Sequence, residues 1–298
     1  MNTKVVTIKE DHIEEEAIQE AGQILKDGGL VAFPTETVYG LGGDALNAES
    51  SAKIYAAKGR PSDNPLIVHI AKVEDVEKIA YTNETFKILA QSFWPGPLTM
   101  VLPKKDVVPY GTTGGLDTVA IRMPSHPAAL ALIEQSGVFV AAPSANISGR
   151  PSPTRFDDVF ADLDGRIDMI IKSDNSDIGI ESTIVDTTSV PPMILRPGGI
   201  TYEMLKEVLP DITEEKTAPH TGDFKPKCPG MKYKHDSPKA DVEVVMGDKK
   251  NVREYIIKQL ETEKNAGVMT YKGGDYENAV CILSAGDDMS EYAAKLFY

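Results

Sequence analysis

The sequence predicts an α/β fold of the α+β kind, and three observations carry that prediction. Short apolar runs that read as strands alternate with segments of helical period. Several of those strands follow one another with too few residues between them for a helix, which calls for antiparallel pairing. Polar loops rich in glycine, proline and hydroxyls sit at the strand ends, where folds of this class place their ligands.

Along the chain, Ile13, Ala17, Ile18, Ala21, Ile24 and Leu25 recur at helical spacing and predict a helix over 14–26, stopped by Gly28-Gly29. A strand over 30–33 follows at once. The run Phe33-Pro34-Thr35-Glu36-Thr37-Val38-Tyr39-Gly40-Leu41-Gly42-Gly43-Asp44 then reads as a glycine-rich turn that lets a backbone approach a ligand. Asn47 is placed to cap a helix ending near Lys58. The loop 58–65 leads into an apolar strand over 66–70 that contains His69. Further strands are predicted at 98–102, 119–123, 138–140, 169–172, 183–186 and 193–196, and helices at 127–136, stopped by Gly137, and after Thr201. Trp94, within Phe93-Trp94-Pro95-Gly96-Pro97, reads as a packing anchor in a rigid turn.

Between 213 and 239 the chain turns to Lys, Pro, Gly and Thr, a linker composition. Beyond it, 242–246, 251–263, 268–271 and 280–283 read as strand, helix, strand and strand, with a short helix from Ser290. The organisation expected is a domain over 1–211, a linker over 212–240 and a smaller α/β unit over 241–298.

Bulk properties narrow the function classes. At 298 residues and 41% hydrophobic the chain can bury a substantial core, and it contains no apolar run of membrane-spanning length, so a cytoplasmic location without membrane attachment is expected. A net charge of −14 argues against stable direct binding of nucleic acid, which depends on cations neutralising phosphates. Cys228 and Cys281 alone supply neither a zinc ribbon nor a CxxC pair, and no protein metal site is expected.

Neither a P-loop nor a G-x-G-x-x-G fingerprint occurs, so phosphates would have to be held by side chains. Lys58, Arg60 and Arg196 are the candidates, the arginines favoured for their bidentate fork. Ser144 and Asn146, two apart on the loop 141–152, can face one cleft if that stretch is extended. Arg122 closes the apolar strand Thr118-Val119-Ala120-Ile121-Arg122, where a cation requires an anion; a small-molecule carboxylate and an internal acidic residue both satisfy that need. His69 reads either as a hydrogen-bonded core histidine or as a ligand contact.

Seven ordered segments, 28–45, 58–70, 94–102, 118–124, 141–154, 181–186 and 195–199, together resemble the YrdC family over residues 10 to 210. Pro229-Gly230-Met231-Lys232-Tyr233-Lys234-His235 resembles the linker signature of its long form, with Asp236 where an aromatic residue is common. The resemblance implies an open, twisted mixed sheet with a large concave cavity, followed by a small Rossmann-like unit that looks shortened at Leu296-Phe297-Tyr298. It implies an enzyme, a nucleotidyltransferase, that joins L-threonine, bicarbonate and ATP into threonylcarbamoyl-AMP and releases pyrophosphate. The product would feed a downstream tRNA threonylcarbamoyl transferase, and magnesium would be carried on the phosphates. Matching motif positions imply threonine contacts from Thr37, His69, Arg122 and Ser182. ATP contacts would come from Lys58, Arg60, Asn64, Thr118, Ala142, Ser144, Asn146, Ser152, Arg196 and His235, with Lys58 and Arg60 the catalytic pair and the linker acting as a lid. An RNA-binding or regulatory module, or a carbamoyl-adenylate-forming enzyme with another substrate, is the alternative.

Overall fold

The computed structural model describes residues 2–9, 12–174, 176–214, 226–229, 240–270 and 274–297. The elements begin with β1 (Lys4–Thr7), α1 (Glu15–Lys26), β2 (Val31–Phe33), β3 (Gly40–Asp44), α2 (Ala48–Lys58), β4 (Ile67–His69), α3 (Val76–Ile79), α4 (Glu84–Phe93) and β5 (Leu98–Pro103). The chain continues through α5 (Tyr110–Thr113), β6 (Thr118–Arg122), α6 (Pro127–Ser136), β7 (Val140–Ala141), α7 (Phe156–Leu163), β8 (Met169–Lys172), β9 (Thr183–Asp186), β10 (Met193–Arg196), α8 (Tyr202–Val208) and β11 (Thr213–Glu214). A C-terminal unit follows, with α9 (Lys249–Thr262), β12 (Val268–Thr270), β13 (Ile282–Ser284) and α10 (Met289–Lys295).

Among the described residues, β1 to β11 form an 11-stranded sheet in the order β1-β8-β2-β3-β7-β4-β6-β5-β9-β10-β11, and β12 pairs with β13 in a separate parallel ribbon. The large sheet is mixed. The β4–β6 and β5–β9 pairs are parallel, while β5–β6, β3–β7 and β9–β10 are antiparallel.

Period-two alternation assigns the two faces. In β2, Ala32 joins the core beneath α2 and α4, whereas Val31 and Phe33 face the layer made by α1 and α6; Ile170 and its neighbours Met169 and Ile171 divide in the same way. Gly22 sits where α1 meets α6, and a Cβ there would lie 3.0 Å from Ser136 N. Beyond the α1–α6 layer, on the same face, a small apolar cluster of Ile67, Val101, Ala120, Ile184 and Cys228 covers part of the sheet. The remainder of that face is the floor of the cleft described below.

The predicted helix signals reappear as caps. Asn47 Oδ1 accepts from Glu49 N, Thr201 Oγ1 accepts from Met204 N, and Gly137 adopts φ +66° at the end of α6. Trp94 is buried, donates from Nε1 to Leu98 O at 2.7 Å and packs edge-on against Phe86.

Three expectations change. The glycine-rich run after β2 is largely a strand, β3, antiparallel to β2; a Cβ on Gly42 would lie 2.9 Å from both Phe33 Cε1 and Val140 Cγ1, so the glycine makes room for the Phe33 ring. Residues 242–246 form no strand: Val242, Val244 and Met246 alternate as a strand would, but they are exposed and no strand among the described residues pairs with them. The start of the predicted linker also carries structure, since Thr213–Glu214 pairs parallel to β10.

Two glycines fix the segment that enters β9. Gly198 lies against its main chain, and a Cβ there would sit 2.6 Å from Ser182 C and Thr183 N. Gly179, at φ +69°, lies against the main chain of Ala294 in α10, which brings the C-terminal unit onto the same segment. Gly198→Ala should lower stability by about 1–3 kcal/mol, the usual cost of forcing an extra carbon into packed backbone. Denaturant unfolding of the purified variant measures this.

Candidate functional site

Strand register builds the centre of the site. His69 on β4 pairs with Arg122 on β6, and Arg122 pairs with Thr99 on β5, so three polar side chains stand in one row across the middle of the sheet. Thr99 Oγ1 hydrogen-bonds Ser182 Oγ at 2.8 Å, which brings in the segment before β9.

Above this row lies a cleft partly open to solvent. Eight of the expected residues line it: Thr37, Arg60, His69, Arg122, Ala142, Ser144, Ser182 and Arg196. They come from strand ends and loops that span more than half of the chain. Thr35, Val38, Tyr39, Gly40, Ile67, Pro143, Glu181 and Pro229 complete the lining, and of these all but Thr35 were not singled out from sequence as contacts.

Arg122 is 4% exposed. Its Nη1 donates to Thr37 Oγ1 at 2.8 Å, its Nε donates to Gly96 O at 3.3 Å, and its Nη2 forms an ion pair with Glu36 Oε1 at 2.8 Å. Burial is the largest influence on the Glu36 carboxyl and would raise it, but the Arg122 charge, the hydrogen bond from Arg122 and backbone hydrogen bonds at Glu36 and Ser125 together outweigh it and hold Glu36 below the usual carboxylate range. The anion demanded by a cation at the end of an apolar strand is thus internal. Thr37 is held in turn by Thr35, whose hydroxyl lies 3.0 Å from that of Thr37 and donates to Val38 O at 2.6 Å.

Arg60 enters from the loop after α2, where Gly59 at φ +61° turns the chain. Its Nε donates to Asn64 O and its Nη2 to Pro65 O, so the loop grips its own arginine. Burial lowers Arg60 to about 10, with opposing help from Tyr55 and Glu181, and the side chain stays charged at neutral pH. Arg196 donates from Nη2 to Ser182 O and Oγ and from Nε to Ser182 O, and its Nη1 pairs with Glu181.

Lys58, Asn64, Thr118, Asn146 and Ser152 fall outside the cleft lining. Lys58 is 1% exposed and donates from Nζ to Ser144 O, Asn146 O and Asn146 Oδ1 at 2.5, 2.5 and 3.1 Å. Its ammonium holds the loop that carries Ser144. Asn146 is folded into that loop, donating from Nδ2 to Arg150 O and accepting at Oδ1 from Ser144 Oγ. Ser152 Oγ donates to Glu181 Oε1 at 2.9 Å, and Asn64 supports Arg60 through its carbonyl. Thr118 opens β6 on the same face as Arg122, about 13 Å along the strand. His235, with Tyr233 and Asp236 of the expected lid, lies outside the described residues. Before that segment, residues 226–229 dock on the sheet: Cys228 is buried in the apolar cluster, Lys227 Nζ pairs with Asp186 at 2.8 Å, and Pro229 reaches the cleft.

Three arginines, five hydroxyl side chains and one imidazole therefore meet in a single hollow. Among the described residues no three His, Cys, Asp or Glu side chains gather so as to hold a metal ion. The cleft suits an elongated ligand with separate anionic groups, because its arginines are fixed at different points of the floor.

Comparison with known proteins returned two family profiles. The Sua5/YciO/YrdC profile, described as telomere recombination, matches residues 23–198, and the profile described as threonylcarbamoyl-AMP synthase, C-terminal domain, matches residues 200–298. The threonylcarbamoyl-AMP synthase of Pyrococcus abyssi is 47% identical, over 99% of this chain and 87% of the relative. The enzyme of that name from Bacillus subtilis is also 47% identical, over 85% and 73%. The crystal structure of P. abyssi Sua5 complexed with L-threonine superposes with a TM-score of 0.93, covering 99% of this chain and 87% of that one.

His69 gives the site a measurable pH signature. Burial first, and the nearby Arg122 charge second, push its imidazole down to about 3, so the ring is neutral in the folded protein. The unfolded chain takes up a proton at this residue below about pH 6.5, and the folded protein does not until about pH 3. The stability associated with His69 is thus complete above pH 6.5 and declines as the pH falls toward 3. His69 ring resonances should show no titration between about pH 8 and pH 5 by NMR, and His69→Gln should flatten the acid limb of the stability profile.

Proposed function

The chain belongs to the Sua5/YciO/YrdC family, and on that footing we infer that it is a threonylcarbamoyl-AMP synthase, an enzyme that uses ATP and L-threonine on the path to threonylcarbamoyladenosine in tRNA. One observation carries the reading: Arg60, Arg122 and Arg196, remote in sequence, line one cleft, each gripped by its own set of oxygens.

Threonine belongs on the side of Thr37, His69, Arg122 and Ser182. Arg122 offers fixed positive charge to the α-carboxylate, and neutral His69 presents an imidazole that can share a hydrogen bond without adding charge. ATP belongs on the side of Arg60, Ala142, Ser144 and Arg196, with Thr118 farther along the same strand face and Ser152, Asn146 and Asn64 supporting from behind. Lys58 acts through the Ser144 loop it holds, as a positioning residue. His235 remains a nucleotide contact proposed from its motif alone.

The chemistry asks for positioning and charge neutralisation. Bicarbonate and the threonine amine give a carbamate with loss of water; a carbamate oxygen attacks the α-phosphorus, the bond to the leaving pyrophosphate breaks, and threonylcarbamoyl-AMP results. Charge builds on phosphate oxygens during that displacement, and arginines already oriented by carbonyls need little reorganisation to meet it. Magnesium enters as part of the nucleotide substrate, since the carboxylates at the cleft are paired with arginines. The product passes to a tRNA threonylcarbamoyl transferase, and the setting proposed is the cytoplasm; no helix among the described residues is long and apolar enough to cross a membrane.

Pyrophosphate release should require ATP, magnesium, bicarbonate and L-threonine together. Release that ignores threonine, or that proceeds equally with serine or carbamoyl phosphate, would identify another substrate. Arg60→Ala should reduce kcat by on the order of 100-fold, the scale of losing one oriented charge donor, while circular dichroism stays unchanged. Arg122→Lys should raise the KM for threonine by roughly tenfold with little effect on that for ATP, because an ammonium cannot reproduce the fork.

A further inference from the structure

Glu181 is a carboxylate set among the groups assigned to phosphate. It lines the cleft, pairs with Arg196 Nη1 and accepts from Ser152 Oγ at 2.9 Å, with its side chain 13% exposed. Its field also reaches Arg60, the other arginine on that side. A carboxylate and a phosphate compete for the same guanidinium edge, and two anions on one arginine repel each other in a site partly shielded from water.

The other acid of the site differs. Glu36 pairs with Arg122 from behind and does not line the cleft, so an incoming ligand leaves it in place. Glu181 stands in the ligand's path. Its main chain is fixed, with Glu181 O accepting from Gly199 N at 3.0 Å and Gly198 packed against the segment, while its side chain can leave Arg196 by rotation alone.

We propose that Glu181 is a resident counter-ion that occupies Arg196 in the nucleotide-free protein, yields it to the polyphosphate when the nucleotide enters, and reclaims it as pyrophosphate leaves. This rests on the reading of Arg60 and Arg196 as the phosphate side. The carboxylate limits affinity for substrate and product together. In exchange, pyrophosphate does not stay trapped on buried arginines, and the empty site does not hold uncompensated cations.

Glu181→Gln keeps the shape and the hydrogen-bond acceptor and removes the charge. Calorimetric titration of wild type and variant with ATP, and separately with pyrophosphate, at fixed magnesium and again without it, should show both dissociation constants falling about tenfold in the variant. L-Threonine binding should stay within about twofold. Glu181→Ala should shift in the same direction, and the tighter binding is a gain that structural damage does not produce. Unchanged or weaker binding of both anions, with threonine binding intact, overturns the proposal. So does a loss confined to titrations with magnesium, which would make Glu181 a cation holder. If wild type binds threonine but neither ATP nor pyrophosphate, the phosphate-side reading fails and this inference falls with it.

Discussion

The cleft depends on one buried ion pair, Arg122 with Glu36, set at the middle of the large sheet. Two charges placed there gain little net stability over a hydrophobic pair, and either one alone would be costly. What the pair supplies is direction. With Glu36 behind it, Gly96 O at its Nε and Thr37 at its Nη1, the Arg122 guanidinium has a fixed plane, and the residues around it take their positions from that plane. His69 sits beside it in register and is held neutral partly by its charge; Thr99 on the other side carries Ser182 into place.

The same constraint explains how an acidic protein can hold anionic substrates. The chain carries a net charge of −14, yet three arginines line one cleft. A concave site with low-dielectric walls concentrates the local field, so the charge facing the ligand matters more than the sum over the body.

Much of this was legible in the sequence, because motifs at strand ends advertise themselves by composition. Arg60 between Gly59 and Pro61, and Arg122 at the end of an apolar run, were both visible as cations needing partners. Strand register was not visible. That His69, Arg122 and Thr99 form a row follows from pairings between segments as much as 53 residues apart, and local pattern does not encode them. The acids were hidden by adjacency: Glu36 beside Thr37 and Glu181 beside Ser182 read as neighbours of the site, while the structure makes them its counter-ions. Lys58 shows the converse. Its sequence context matches a phosphate-binding cation, but three oxygens of a distant loop take up its ammonium. Gly40 and Gly42 of β3 looked like part of a turn because their purpose, room for the Phe33 ring, lies on another strand. The alternation at Val242, Val244 and Met246 had the period of a strand but lacked a partner to pair with.

The junction between α10 and the segment before β9 is made at Gly179 against the main chain of Ala294. Backbone meeting backbone leaves no side chain to read, so the outer surface of α10 is free to vary in composition without disturbing how it rests against the segment before β9. Position 179 has no such latitude, since any larger residue there would act as a wedge and lift the helix away.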